Sequence, residues 1–142
     1  MTWFTILLLW LHFIGLALGV GGGVALANVG PRLIAAAPED RELLWSLEKF
    51  FNRVGTGGLV ILLITGPLMV WLIFGGTSGF TIWFDVKMVL VAAATAGVVL
   101  HSWAGRRFFR GDVTAVPLMF IGGRLAGISM VLAALCAVVN FQ

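Results

Sequence analysis

His12, Lys87 and His101 stand in stretches of sequence that are otherwise almost wholly apolar. An ionisable side chain in hydrocarbon is costly, and the few that persist there mark functional positions by default. Neutral imidazole is a good axial ligand for haem iron, and a haem held between helices needs one or two axial ligands at matching depth. Methionine sulfur can serve as the second ligand, which brings Met69 and Met130 into consideration. Lysine and arginine pair with carboxylates such as porphyrin propionates, so Lys87 and Arg32 are the candidate anion contacts. His12 and Lys87 are the candidate catalytic pair, and His12 the candidate metal ligand.

These residues must be positioned by membrane-spanning elements. Hydrophobic residues make up 61% of the 142, charged residues 11%, and the net charge is +3. A soluble domain would carry about 25% charged residues. A helix needs roughly 20 apolar residues to cross the hydrocarbon core. Four segments qualify: 4–28, 56–75, 82–104 and 117–139. The fold expected is an all-α integral membrane four-helix bundle, forming one transmembrane domain over residues 1–142. The N-terminal run is too long for a signal h-region and is read as a retained span. The basic residues fall mostly between spans, so nucleic acid is not the expected partner; the lipid bilayer is. Cys136, the single cysteine, lies in the fourth span and supports no disulfide framework or cysteine metal site.

Charge in the links sets the orientation. Arg32, Arg41, Lys49 and Arg53 lie between spans one and two, and Arg106, Arg107 and Arg110 between spans three and four. The link from Gly75 to Thr81 has no basic residue. The positive-inside rule puts the first and third links in the cytoplasm and both termini on the other side, in a bacterial inner membrane. Trp3, Trp71 and Trp83 then approach the outer interface, and Trp103 the inner one.

Depth separates the candidates. Counting about 1.5 Å per residue, His12 lies roughly 12 Å below the outer face and His101 roughly 28 Å. A gap of about 16 Å is too large for the two to share one iron without steep tilts. Met69 and Met130 at roughly 10 Å, and Lys87 at about 8 Å, match His12 better. Arg32, roughly 30 Å down at the inner end of span one, reads as a topology charge or a contact at a separate inner site with His101.

The first link carries a helix of its own. Pro38 suits a first helical turn, and Glu39 and Asp40 suit its positive end. Leu43, Leu44, Leu47, Phe50 and Phe51 recur at helical spacing, opposed by Arg41, Glu42, Glu48 and Lys49. This predicts a short amphipathic cytoplasmic helix, lying on the inner surface or continuing into span two.

Small residues line the spans. Gly15, Gly19 and Gly23 repeat every four residues in span one, and Gly123 and Gly127 do so in span four. Such stripes let membrane helices approach closely, and they also leave room beside them for something flat, such as a porphyrin. Gly21-Gly22-Gly23 is no phosphate loop, since it lies in a hydrophobic span without the accompanying lysine. Pro67 should bend span two and free a carbonyl.

The order of elements resembles a known superfamily. A first-span histidine and glycine run precede Pro31-Arg32-Leu33, then Leu47-Glu48-Lys49-Phe50-Phe51-Asn52-Arg53 and Thr65-Gly66. Val86-Lys87-Met88 and His101-Ser102-Trp103-Ala104-Gly105-Arg106-Arg107 follow. Over nearly its whole length the chain looks like the four-span proteins that include HemJ-type protoporphyrinogen oxidases and CopD-like membrane proteins. The HemJ resemblance implies bound haem b and six-electron oxidation of protoporphyrinogen IX. It places the functional histidine at His12, the third-span lysine at Lys87, the Pro-Arg pair at Pro31 and Arg32, and the later histidine at His101.

Three functional classes stay open. One is a haem b-binding redox membrane protein, an oxidoreductase of the porphyrinogen oxidase kind. Another is a CopD-like copper-related protein, in which His12 and methionines would meet the metal. The third is an accessory subunit of a larger membrane complex or homo-oligomer, packing its Gly/Ala faces on partner helices or pigments.

Overall fold

The computed structural model describes residues 2–76 and 82–140. It contains four long helices: α1 (Trp3–Ala35), α2 (Pro38–Leu72), α3 (Ile82–Phe109) and α4 (Val116–Asn140). A single 3-10 turn, Val113–Ala115, leads into α4, and no strand occurs among the described residues. All four helices are long and apolar enough to cross a membrane. The chain is therefore an all-α four-helix protein of membrane type. Its outward face agrees: Trp3, Trp71, Val89 and Ile128 are among many large apolar side chains left exposed, as hydrocarbon surroundings permit.

The helices overrun the apolar segments. α1 continues through Pro31 to Ala35 and ends on two extended residues, Ala36 and Ala37, before Pro38 opens α2. The residue before a proline avoids the helical region, which explains this abrupt reversal. No separate short helix lies between spans one and two. Residues 38–55 are the first half of one continuous α2, which also runs through Pro67. Lacking an N–H, Pro67 leaves the Leu63 carbonyl without its helical partner.

Of the polar face expected in that first half, Arg41, Glu42 and Lys49 are exposed and Glu48 is not. Trp45 and Glu48 are its buried side chains, whereas Leu43, Leu47 and Phe50 point outward. In water the leucines and phenylalanine would turn inward. Where the surroundings are themselves apolar, that drive vanishes, and polar groups gain most from facing the bundle.

α2 ends at a glycine pair. Gly75 and Gly76 adopt positive φ of 68° and 112°, and the Gly76 amide bonds back to the Val70 carbonyl at 3.0 Å. Residues 77–81, which complete the link expected on the far side of the membrane, lie outside the described part. The α3–α4 turn needs Gly111 at φ 94°. Asp112 then caps the 3-10 turn through the Thr114 amide at 3.1 Å and takes the Arg107 Nε–H at 2.8 Å.

Two tight hairpins result, α1 on α2 and α3 on α4. Glycines set both spacings. A methyl group on Gly22 would come within 2.7 Å of the Gly55 backbone, and one on Gly15 within 2.9 Å of Ile61. On the other hairpin, a methyl on Gly97 would meet the Ala126 amide at 2.6 Å, and one on Gly122 the His101 amide at 2.6 Å. Gly23 and Gly127 behave differently from the stripe expected of them: no atom lies within 4 Å of where their Cβ atoms would be. The hairpins join where α1 meets α4, at Gly19 against Met130 and Gly30 near Phe120. α2 and α3 meet only slightly. Beside that meeting runs an apolar groove of about 830 Å³, with Leu63 on one wall and Ala92, Ala96 and Trp103 on the other.

Candidate functional site

The intramembrane polar groups fall into two layers. One lies towards the end of the bundle that carries the termini. There the Thr65 hydroxyl donates to the Ile61 carbonyl at 2.7 Å, so its lone pair accepts the His12 Nδ1–H at 2.8 Å. This fixes the tautomer and turns Nε2 into the unprotonated nitrogen, which has no protein partner among the described residues. Lys87 sits within electrostatic range of both His12 and Cys136 and makes no ion pair among the described residues. Met69, half-buried, follows Thr65 by one helical turn. Met130 does not join this layer: its sulfur packs at Gly19, two turns and about 10 Å along α1 from His12.

The second layer lies towards the basic end. His101 is buried, with Nδ1–H donating to the Met119 carbonyl at 2.9 Å and Nε2 bonded to Glu48 Oε1 at 3.0 Å. Both nitrogens are thus occupied. Glu48 is only 2% exposed, so the polar, outward place expected for it is wrong. A carboxylate at that depth needs a partner, and His101 supplies it. Asn52 and Ser102 exchange hydrogen bonds of 3.1 and 3.2 Å beside it. These two pairs link α2 to α3 where those helices otherwise barely touch. Arg32 is exposed in the last turn of α1, without a polar partner among the described residues.

The pairings across the bundle give the separation of the histidines. Met130 faces Gly19 and Phe120 faces Gly30, while His101 packs on Gly122 and Gly123. His101 therefore lies about fifteen residues along α1 from His12, roughly 22 Å. The two do not approach one iron.

Sequence reasoning missed two residues. Glu48 was legible as part of a buried stripe, since Trp45, Glu48, Asn52, Gly55 and Leu59 recur at alternating spacings of three and four. Arg124 was legible too, as a lone arginine inside the fourth apolar segment. Arg124 lines a cavity of about 490 Å³ between α1 and α4, together with Gly23, Gly127, Asn52 and His101.

Among the described residues no group of three or more His, Cys, Asp or Glu side chains could hold a bare metal ion. Haem iron makes a lesser demand, because the porphyrin supplies four nitrogens and the protein only axial ligands. His12 fits that demand: one nitrogen is free and the other is held by a hydrogen bond, the arrangement that orients metal-binding histidines. His101 does not fit, since either nitrogen would have to give up a buried bond. Compared with protein-family models, curated proteins and solved structures, the chain matches none.

Proposed function

We propose that this chain is an integral membrane redox protein that binds one haem b through His12 Nε2, with porphyrinogen oxidation of the HemJ type as the activity to assay. The observation that carries the proposal is the His12–Thr65 hydrogen bond, which presents a free, unprotonated imidazole nitrogen inside a membrane span. Bound haem b would supply one-electron redox chemistry. Lys87, in electrostatic range of His12, is the cation for a porphyrin carboxylate, and Arg32 is a topology charge. The protein sits in a bacterial inner membrane with both termini outside. The first half of α2 lies at the cytoplasmic surface with Leu43, Leu47 and Phe50 in the headgroup layer.

The test is the visible spectrum of the purified protein. His12→Ala abolishes the Soret band, and His101→Ala keeps most of it. Thr65→Val lowers haem affinity by roughly tenfold or more, as loss of a histidine's orienting partner does, and Thr65→Ser restores it. Equal loss from both histidine variants would overturn the assignment.

A second reading has its own observation. The groove between α2 and α3 has Ala92 and Ala96 one turn apart on its wall, a spacing that admits a close partner helix. An accessory subunit of a larger complex would use it. Under that reading the purified protein is colourless and co-purifies with a membrane partner.

A further inference from the structure

Glycine in a membrane helix usually serves close packing, and six of these glycines do: at Gly15, Gly19, Gly22, Gly58, Gly97 and Gly122 an added Cβ meets a neighbouring helix at 3.0 Å or less. Gly23 and Gly127 have no such excuse. They lie on α1 and α4, they line the same cavity, and a Cβ on either would meet nothing within 4 Å. Their missing side chains keep a space open rather than bring two helices together. The space, about 490 Å³, is in the range of small-molecule sites. Exposed Val24, Ile128 and Val131 stand on its lining, so it opens sideways to the surrounding hydrocarbon.

Arg124 lines the same cavity. It has neither an ion pair nor a hydrogen bond among the described residues. Glu48, the buried carboxylate nearest in level, is engaged by His101. Arg124 comes eight residues after the start of α4, about 12 Å along an apolar helix long enough to cross a membrane, and its side chain is exposed at the rim of the cavity. A guanidinium so placed is expensive without an anion. An apolar, side-opening cavity with one unpaired guanidinium is complementary to an apolar molecule with an anionic head.

We propose that the cavity between α1 and α4 is a binding site for an anionic amphiphile taken from the bilayer, its acid group on Arg124 and its apolar body between Gly23 and Gly127. This site is separate from His12 and does not rest on haem being bound there. A carboxylate and the phosphodiester of an acidic phospholipid share the required chemistry.

Radiolabelled oleate is the probe, bound to the full-length protein in a neutral detergent, with no optical signal that haem could disturb. The protein retains oleate, and unlabelled methyl oleate, which lacks the charge, competes at least tenfold less well than unlabelled oleate. Arg124→Gln weakens retention about tenfold. Gly23→Leu and Gly127→Leu each put a side chain into the cavity from a position whose Cβ meets no neighbouring atom within 4 Å, and each removes most of the retention, with gel-filtration profile and helicity unchanged. Displacement by phosphatidylglycerol but not phosphatidylcholine identifies a phospholipid head as the natural anion; resistance to both identifies a carboxylate. Equal competition by methyl oleate overturns the proposal. So does wild-type retention in Arg124→Gln, or in both leucine variants. The outcome is independent of the Soret band, so the haem assignment and this site can fail separately.

Discussion

At the residue scale, the least expected feature is the buried Glu48–His101 pair. Each partner would be costly in the bundle alone. Breaking such a pair by removing one member costs about 3–5 kcal/mol, whereas exchanging both for apolar residues of similar volume is often close to neutral. Glu48→Leu should therefore destabilise the bundle by roughly that amount, and Glu48→Leu with His101→Leu should recover most of the loss. Unfolding in sodium dodecyl sulfate, followed by helical circular dichroism, measures both. A double variant no more stable than the single one would mean that the pair is not the stabilising unit. His12 differs in kind. Its bond to Thr65 leaves one nitrogen unused, and an unused imidazole nitrogen in a span is what a ligand site requires.

At the element scale, close helix approach constrains one position and leaves its neighbour free. Gly22 and Gly23 are adjacent, yet only Gly22 touches α2. Gly22→Val should force the α1–α2 hairpin apart at a cost of about 1–3 kcal/mol or more, since backbone cannot yield as a side chain can. Gly23→Ala should be neutral or stabilising by up to about 1 kcal/mol, because alanine is the better helix former. The same detergent titration compares them. In the α3–α4 turn, the Asp112 carboxyl is held below its ordinary pKa by the Thr114 hydroxyl first and then by Arg107. A depressed carboxylate stabilises above its unfolded value and loses that contribution as the pH falls through the folded one. The turn should hold at neutral pH and loosen only below about pH 4. The Asp112 carboxyl carbon shift, followed by NMR, should have its midpoint below that of a free aspartate, and Asp112→Asn should make turn stability flat over the same range.

At the scale of the whole molecule, two hairpins are joined along α1 and α4 and latched by polar pairs across α2 and α3. The basic links at one end set an orientation that labelling can read. In a Cys136→Ala background, Thr2→Cys should react with an impermeant thiol reagent in intact cells whose outer barrier is opened. Ser46→Cys, exposed in the first half of α2, should react only after the inner membrane is permeabilised. The reverse pattern would invert the topology and move the His12 layer to the cytoplasmic side. Four helices long and apolar enough to cross a membrane follow from apolar length alone, because lipid requires each backbone group to be satisfied within its own helix. That requirement is local, so residue order suffices to impose it, and the separation of His12 from His101 follows from the same regular rise. Which face of each helix turns inward is not local. In hydrocarbon an apolar side chain gains nothing by burial, so periodicity did not choose between the face that groups Glu48 with Arg41, Glu42 and Lys49 and the stripe that groups it with Trp45 and Leu59. Only the tertiary packing decided that Glu48 meets His101, that Thr65 holds His12, and that Gly23 and Gly127 border a space instead of a helix, because each depends on partners 18 to 53 residues or more away in the chain.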